Sequence, residues 1–319
     1  MALVSKIYAN TLASQNEKYL MDSDRLRRLI DADFSDAIKI LQDYGKGDGL
    51  SAPSMEMLLS YETAKLVAFV RENAVSERVS NVLLSEFIFH NAKSAYKGRV
   101  GGVDVGRALY GGFEDVSEAV MEKEYSSLPD ELEDCLVALD EKSEGTILTP
   151  REIDVAITKA RYAFALKWAK GDKMLTRYVK ADIDLKNLMT LLRCRIMELP
   201  VKDFSEMFID GGSLKKDEME RALTASIEAF NLFYASTDYA EVFEGVEKGI
   251  EGITDFETHI DDYLYAITLV GKENFTSKSP FINYFYRAFL ELKTIKTVLV
   301  CLKNDARDEI KRRLRGIYD

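Results

Sequence analysis

One helical pattern occurs three times in this chain, at residues 85–99 (SEFIFHNAKSAYKGR), 181–195 (ADIDLKNLMTLLRCR) and 288–302 (AFLELKTIKTVLVCL). With Asn91, Asn187 and Thr294 in register, the copies stand 96 and 107 residues apart. The second and third agree best, pairing Ala181-Asp-Ile-Asp-Leu-Lys with Ala288-Phe-Leu-Glu-Leu-Lys and Cys194 with Cys301. Self-similarity of this kind means one supersecondary unit copied, each copy burying its apolar face against its neighbours. Behind each copy stands an acid with an apolar neighbour, a second apolar residue four further on, then glycine: Asp104-Val105, Leu109 and Gly111; Asp203-Phe204, Phe208 and Gly211; Glu309-Ile310, Leu314 and Gly316. An apolar i, i+4 pair ended by glycine predicts a short helix with its C-cap. The expected division is three helical repeats, at 1–125, 126–212 and 213–319.

The segments outside the copies also read as helical. Leu26, Leu29, Ile30, Phe34, Ala37, Ile38 and Leu41 recur every three or four residues, which predicts one apolar stripe on a helix, with Asp22 and Ser23 as N-cap candidates. Thr149-Pro150-Arg151-Glu152 offers a cap hydroxyl, a proline at the first helical position and a glutamate at N3. A helix is expected from there through Lys170, with Trp168 packed along it. All five prolines (Pro53, Pro129, Pro150, Pro200 and Pro280) fall at joints, where a missing N–H is tolerated. No alternating β-branched runs joined by hairpin dipeptides are found. The fold class is therefore all-α, with three similar helical units.

Several function classes are disfavoured. A net charge of −11 opposes binding to a phosphate backbone, so nucleic acid is not an expected partner. The longest apolar runs, such as residues 297–302 (TVLVCL), are too short to span a bilayer, and the beginning MALVSKIYAN lacks the features of a secretory signal. Three cysteines without any CxxC, namely Cys135, Cys194 and Cys301, argue against a disulfide framework and for a reducing compartment, the cytoplasm. Cys194 and Cys301 lie on apolar helix faces and read as small buried hydrophobes.

No catalytic residue, cofactor, metal site or small-molecule substrate is expected. Glu86 with His90 and Asp255 with His259 have metal-pair spacing, but two histidines without an ExxH pair read better as solvated faces or caps. Asp261-Asp262 resembles the start of the aspartate-rich helix of prenyl-transferring enzymes, yet Tyr263-Leu264-Tyr265 stand where a further carboxylate is needed. Gly45-Lys46-Gly47-Asp48-Gly49 follows a helix and lacks the ending of a phosphate loop, so it reads as a flexible connector. Lys311, Arg312, Arg313 and Arg315 form the one dense basic cluster, preceded by Asp305, Asp308 and Glu309. Acids before bases suit the helix dipole, and the same cluster is a candidate docking site for an acidic partner.

These residues carry a resemblance. Residues 182–193 (DIDLKNLMTLLR), with Asp182, Asn187 and Arg193 as markers, and residues 309–315 (EIKRRLR) resemble the C subunit of the V/A-type rotary ATPases, whose eukaryotic vacuolar counterpart is the d subunit. The likeness covers the whole chain in length and in its threefold repeat. It implies a funnel of three helical units about a pseudo-threefold axis, on the cytoplasmic face of the membrane. Its narrow side would meet the rotating membrane ring, its socket would receive the central shaft made of the D and F subunits, and ATP would be handled elsewhere, in the A and B head. One departure is Lys97-Gly98-Arg99 where the second copy has Arg193-Cys194-Arg195, since glycine weakens a helix by about 1 kcal/mol. The alternative function is a cytosolic helical-repeat scaffold for protein partners.

Overall fold

The computed structural model describes residues 5–244 and 250–318, so the first four residues of the N-terminal stretch read above lie outside it. Helices α1 (Lys6–Glu17), α2 (Ser23–Asp31) and α3 (Phe34–Asp43) lead into a hairpin of α4 (Met55–Asn73) and α5 (Glu77–Gly101). After α6 (Glu114–Glu122) and α7 (Asp130–Ser143) comes a second hairpin, α8 (Pro150–Ala169) and α9 (Lys173–Ile196). Four short helices follow: α10 (Val201–Met207), α11 (Lys216–Thr224), α12 (Ile227–Ala235) and α13 (Ala240–Phe243). A third hairpin, α14 (Ile250–Leu269) and α15 (Ser279–Lys303), is closed off by α16 (Asp308–Arg312). The described residues contain no strand.

Local chemistry accounts for most boundaries. Thr149 accepts from the Glu152 amide at 3.2 Å while the Glu152 carboxylate accepts from the Thr149 amide at 2.8 Å, the expected capping box with Pro150 in the first turn. Asp172 caps α9 by accepting from the Met174 and Leu175 amides. The stripe from Leu26 to Leu41 belongs to two helices rather than one: Ala32 takes an extended backbone (ψ 161°), and Asp33 opens α3. The apolar spacing runs across that break unchanged, so periodicity could not reveal it. The glycine-rich stretch is a tight loop and not a loose connector. Lys46 is buried and reaches Glu291 at 2.6 Å, and the Gly47 amide donates to Glu62 at 2.8 Å.

The three sequence copies are the second arms of the three hairpins. Asn91, Asn187 and Thr294 fall near the middle of α5, α9 and α15, all fully buried. Asn91 clamps the chain that returns after α5, donating to the Tyr110 carbonyl and accepting from its amide, both at 2.8 Å. Asn187 does the same to Ile209, at 2.8 and 2.9 Å. Thr294 instead turns its hydroxyl onto the Leu290 carbonyl of its own helix and meets the Tyr318 phenol of the chain that follows. The three echo segments form a 3-10 turn at Gly106–Ala108, α10 and α16.

Packing is cyclic. Helix α5 lies on α8, α9 on α14, and α15 on α4. Each of the segments 1–125, 126–212 and 213–319 carries one hairpin, but α1, α2 and α3 pack on the hairpin of the last. Met21, Leu26, Leu29, Ala37 and Leu41 share an apolar cluster with Ile295, Val298, Leu299 and Ile310. The nine-residue helices α2, α6 and α11 are each tied at the C-terminal end by an arginine: Arg307 to the Ala32 carbonyl at 2.9 Å, Arg99 to Val120, and Arg195 to Leu223 at 2.6 Å. The N-terminus thus supplies to the third hairpin what the chain following each of the other two supplies to them.

Gly98 explains the departure in the first copy. It sits inside α5, and a Cβ there would stand 2.9 Å from the Val103 carbonyl oxygen and the Val105 methyls. Gly98→Ala is therefore expected to lower stability by about 1–3 kcal/mol through overpacking, although helix propensity alone favours alanine by about 1 kcal/mol. The urea midpoint tests this; a midpoint that rises would show that propensity wins.

Candidate functional site

The basic cluster is divided by the fold. Arg312 forks onto Asp255, with Nε–Oδ1 at 2.8 Å and Nη2–Oδ2 at 3.0 Å. Arg315 is largely buried and donates from Nε to Asp261 at 2.8 Å. The neighbouring Asp262 accepts from the Gly316 amide at 2.9 Å. The Asp261-Asp262 pair is thus an anchor for the C-terminal segment on α14. Lys311 and Arg313 remain on the surface, Arg313 within 3.7 Å of Glu309.

A cavity of about 470 Å³ lies between the three hairpins, walled by α5, α8, α9, α14 and α15, with Tyr110 and Arg315 from the segments behind the first and third. Its wall repeats the sequence register. Val82, Tyr178 and Phe285 form one layer; Glu86, Asp182 and Phe289 the next; then His90, Lys186 and Lys293; then Lys93, Met189 and Lys296. Within each layer the residues are separated by the same 96 and 107 positions that relate the three copies. Steps of four, four and three along each helix keep the layers on one face. Val82 and Phe285 are buried, whereas Lys186 and Lys296 are exposed, so the pit deepens from a charged mouth to an aromatic and aliphatic floor.

Charge in the pit is organised around two centres. Arg161 of α8 bridges Glu86 at 2.6 Å and Asp182 at 3.1 Å, joining the first two long helices. Burial pushes the Glu86 carboxyl up, but Arg161, with Lys293 and Lys186, outweighs it and holds the group at about 2. Across the pit, Asp261 takes both Lys293 and Arg315 at 2.8 Å; burial again raises its pKa, and the two cations win and lower it. Burial and the carboxylate of Asp182 push the phenols of Tyr162 and Tyr178 well up, so these rings stay neutral. The Arg161 Nε and Arg315 Nη1 hydrogens are buried without a partner among the described residues.

The histidines serve the backbone: His90 Nε2 lies 2.8 Å from the Ala108 carbonyl and His259 Nδ1 3.0 Å from that of Val242. No group of three or more His, Cys, Asp or Glu side chains converges as a metal site among the described residues. Cys194 and Cys301 are buried, Cys135 partly so, and burial raises the Cys135 thiol to about 11. The pit is a shaped, charged receptacle. Reading residue by residue missed Arg161, Lys186, Lys293 and Lys296. For the three lysines the signal was present in the aligned copies, whose polar positions between apolar ones share columns, whereas Arg161 lies in α8, outside the copies.

A model of the ATP synthase (C/AC39) subunit family matches residues 9–313. The C subunit of the V-type sodium ATPase of Enterococcus hirae is 25% identical over 326 residues, covering 97% of this chain and 98% of that protein. The C subunit of the A-type ATP synthase of Pyrococcus horikoshii is 23% identical over 347 residues, covering 99% and 89%. That of Thermococcus kodakarensis is 33% identical over 109 residues, 32% of this chain and 29% of the relative.

Proposed function

We propose, from the premise that this chain belongs to the ATP synthase (C/AC39) subunit family, that it is the rotor piece of a V/A-type rotary ATPase or ATP synthase that couples the central shaft of D and F subunits to the membrane ring. The observation that carries this reading is the pit, walled at matching positions by all three long helices. An axial socket built that way meets a shaft on every side, so a turning force is borne by three hairpins instead of one surface loop. Close-packed helical interiors have low compressibility, which suits a part that must transmit rotation without yielding.

In this reading the chain is non-catalytic and sits peripherally on the cytoplasmic side. Among the described residues, no helix is long and apolar enough to cross a membrane. The exposed Lys311 and Arg313 steer docking onto an acidic partner surface, while Arg312 and Arg315 hold the segment that presents them. The test is direct capture. Purified chain immobilised on a support should retain both the D–F shaft and the detergent-solubilised ring; retention of neither overturns the reading.

A further inference from the structure

We infer that the pit receives an acidic end of its partner, with Lys186 and Lys296 as the residues that meet the incoming carboxylates. This rests on the shaft-to-ring reading above and adds the chemistry of the end that is received. Six cations line the pit, Lys93, Arg161, Lys186, Lys293, Lys296 and Arg315, against four acids, Glu86, Asp182, Glu257 and Asp261. The wall is thus net positive in a chain whose total charge is −11. A local excess of the opposite sign is a device for recognising a partner, not a by-product of composition.

The internal pairs account for most of these charges. Arg161 serves Glu86 and Asp182, Lys293 and Arg315 share Asp261, Lys93 lies 3.6 Å from Asp154, and Glu257 is taken by Arg193 at 2.5 Å. Lys186 and Lys296 have no ion-pair partner within 4 Å among the described residues, and both are exposed beside the mouth. The buried Arg161 Nε and Arg315 Nη1 on the same wall add two more unanswered donors. An acid-bearing end that entered would be met first by two exposed ammonium groups and, further in, by two paired guanidinium groups with a donor to spare. Lys186 and Lys296 stand on α9 and α15, and their counterparts on α5, His90 and Lys93, are already engaged by the Ala108 carbonyl and by Asp154. The three walls are therefore unequal, and one seating of the partner is favoured over its two quasi-equivalents.

The experiment measures binding of the purified D–F shaft to the full chain by surface plasmon resonance at low and high salt. Lys186→Glu with Lys296→Glu is expected to weaken binding about tenfold at low salt, as reversal of two exposed pairs should, and to flatten its salt dependence. Lys186→Gln with Lys296→Gln should give about half that effect on a logarithmic scale. Lys39→Glu with Lys202→Glu, on exposed positions outside the pit, makes the same change in net charge and should leave binding within about twofold. Equal losses in the pit and control variants, or none in either while the wild type still binds, overturn this inference and leave the coupling reading standing. A wild type that fails to bind the shaft overturns both.

Discussion

A complex assembled without this chain will hydrolyse ATP in its detached head and build no ATP-driven ion gradient. The coupling reading requires both halves of that result. A part that only joins shaft to ring contributes nothing to turnover in the head, so hydrolysis survives its loss. Rotation, by contrast, has no path to the ring. The expected effect on pumping is complete, and adding the purified chain back should restore assembly and gradient together. Reconstituted vesicles with a pH-sensitive or sodium-sensitive dye and a parallel phosphate-release assay measure the two quantities side by side. Normal pumping by membranes proven to lack the chain would reject the coupling role.

Glu291→Ala is expected to cost about 3–5 kcal/mol, because it leaves the buried Lys46 ammonium without its counter-charge. Glu291 is 3% exposed, accepts from the Met21 amide at 2.5 Å and from Lys46 at 2.6 Å, and so pins both the N-terminal helices and the glycine-rich loop to α15. A folded chain has only about 5–15 kcal/mol of stability in all, so this loss should move the urea midpoint far. The double replacement Lys46→Met with Glu291→Met should recover most of the loss, since buried ion pairs are often no better than apolar groups of similar volume. If the double variant is as unstable as the single one, the cost lies in lost packing or in the Met21 amide and not in the stranded charge.

Much of the fold was legible because its causes are local. The cap at Thr149-Pro150-Arg151-Glu152 involves residues within one helical turn, and it forms as expected. Asn91 and Asn187 marked the register of the copies and turned out to hold equivalent clamps on the chain that follows. The basic cluster was legible as composition but not as a surface. Whether Arg312 and Arg315 face solvent depends on Asp255 and Asp261, more than fifty residues earlier. The pit lay between: its columns were visible in the aligned copies, but nothing in one copy says that three such faces converge.

Periodicity, capping and repetition are written along the chain, since each depends on residues a few positions apart. They determined an all-helical protein with three related long helices, and the likeness of residues 182–193 and 309–315 to part of a rotary ATPase. Closure of the ring was decided only in three dimensions. Lys46 and Glu291 are separated by 245 positions, and their pairing exists because α15 packs back on the N-terminal helices. The same holds for Arg161, which is an ordinary helical arginine until α8 is placed where Glu86 and Asp182 meet. Burial turns such charges into obligatory partners, and burial is a property of how helices are stacked, which no local stretch of residues encodes.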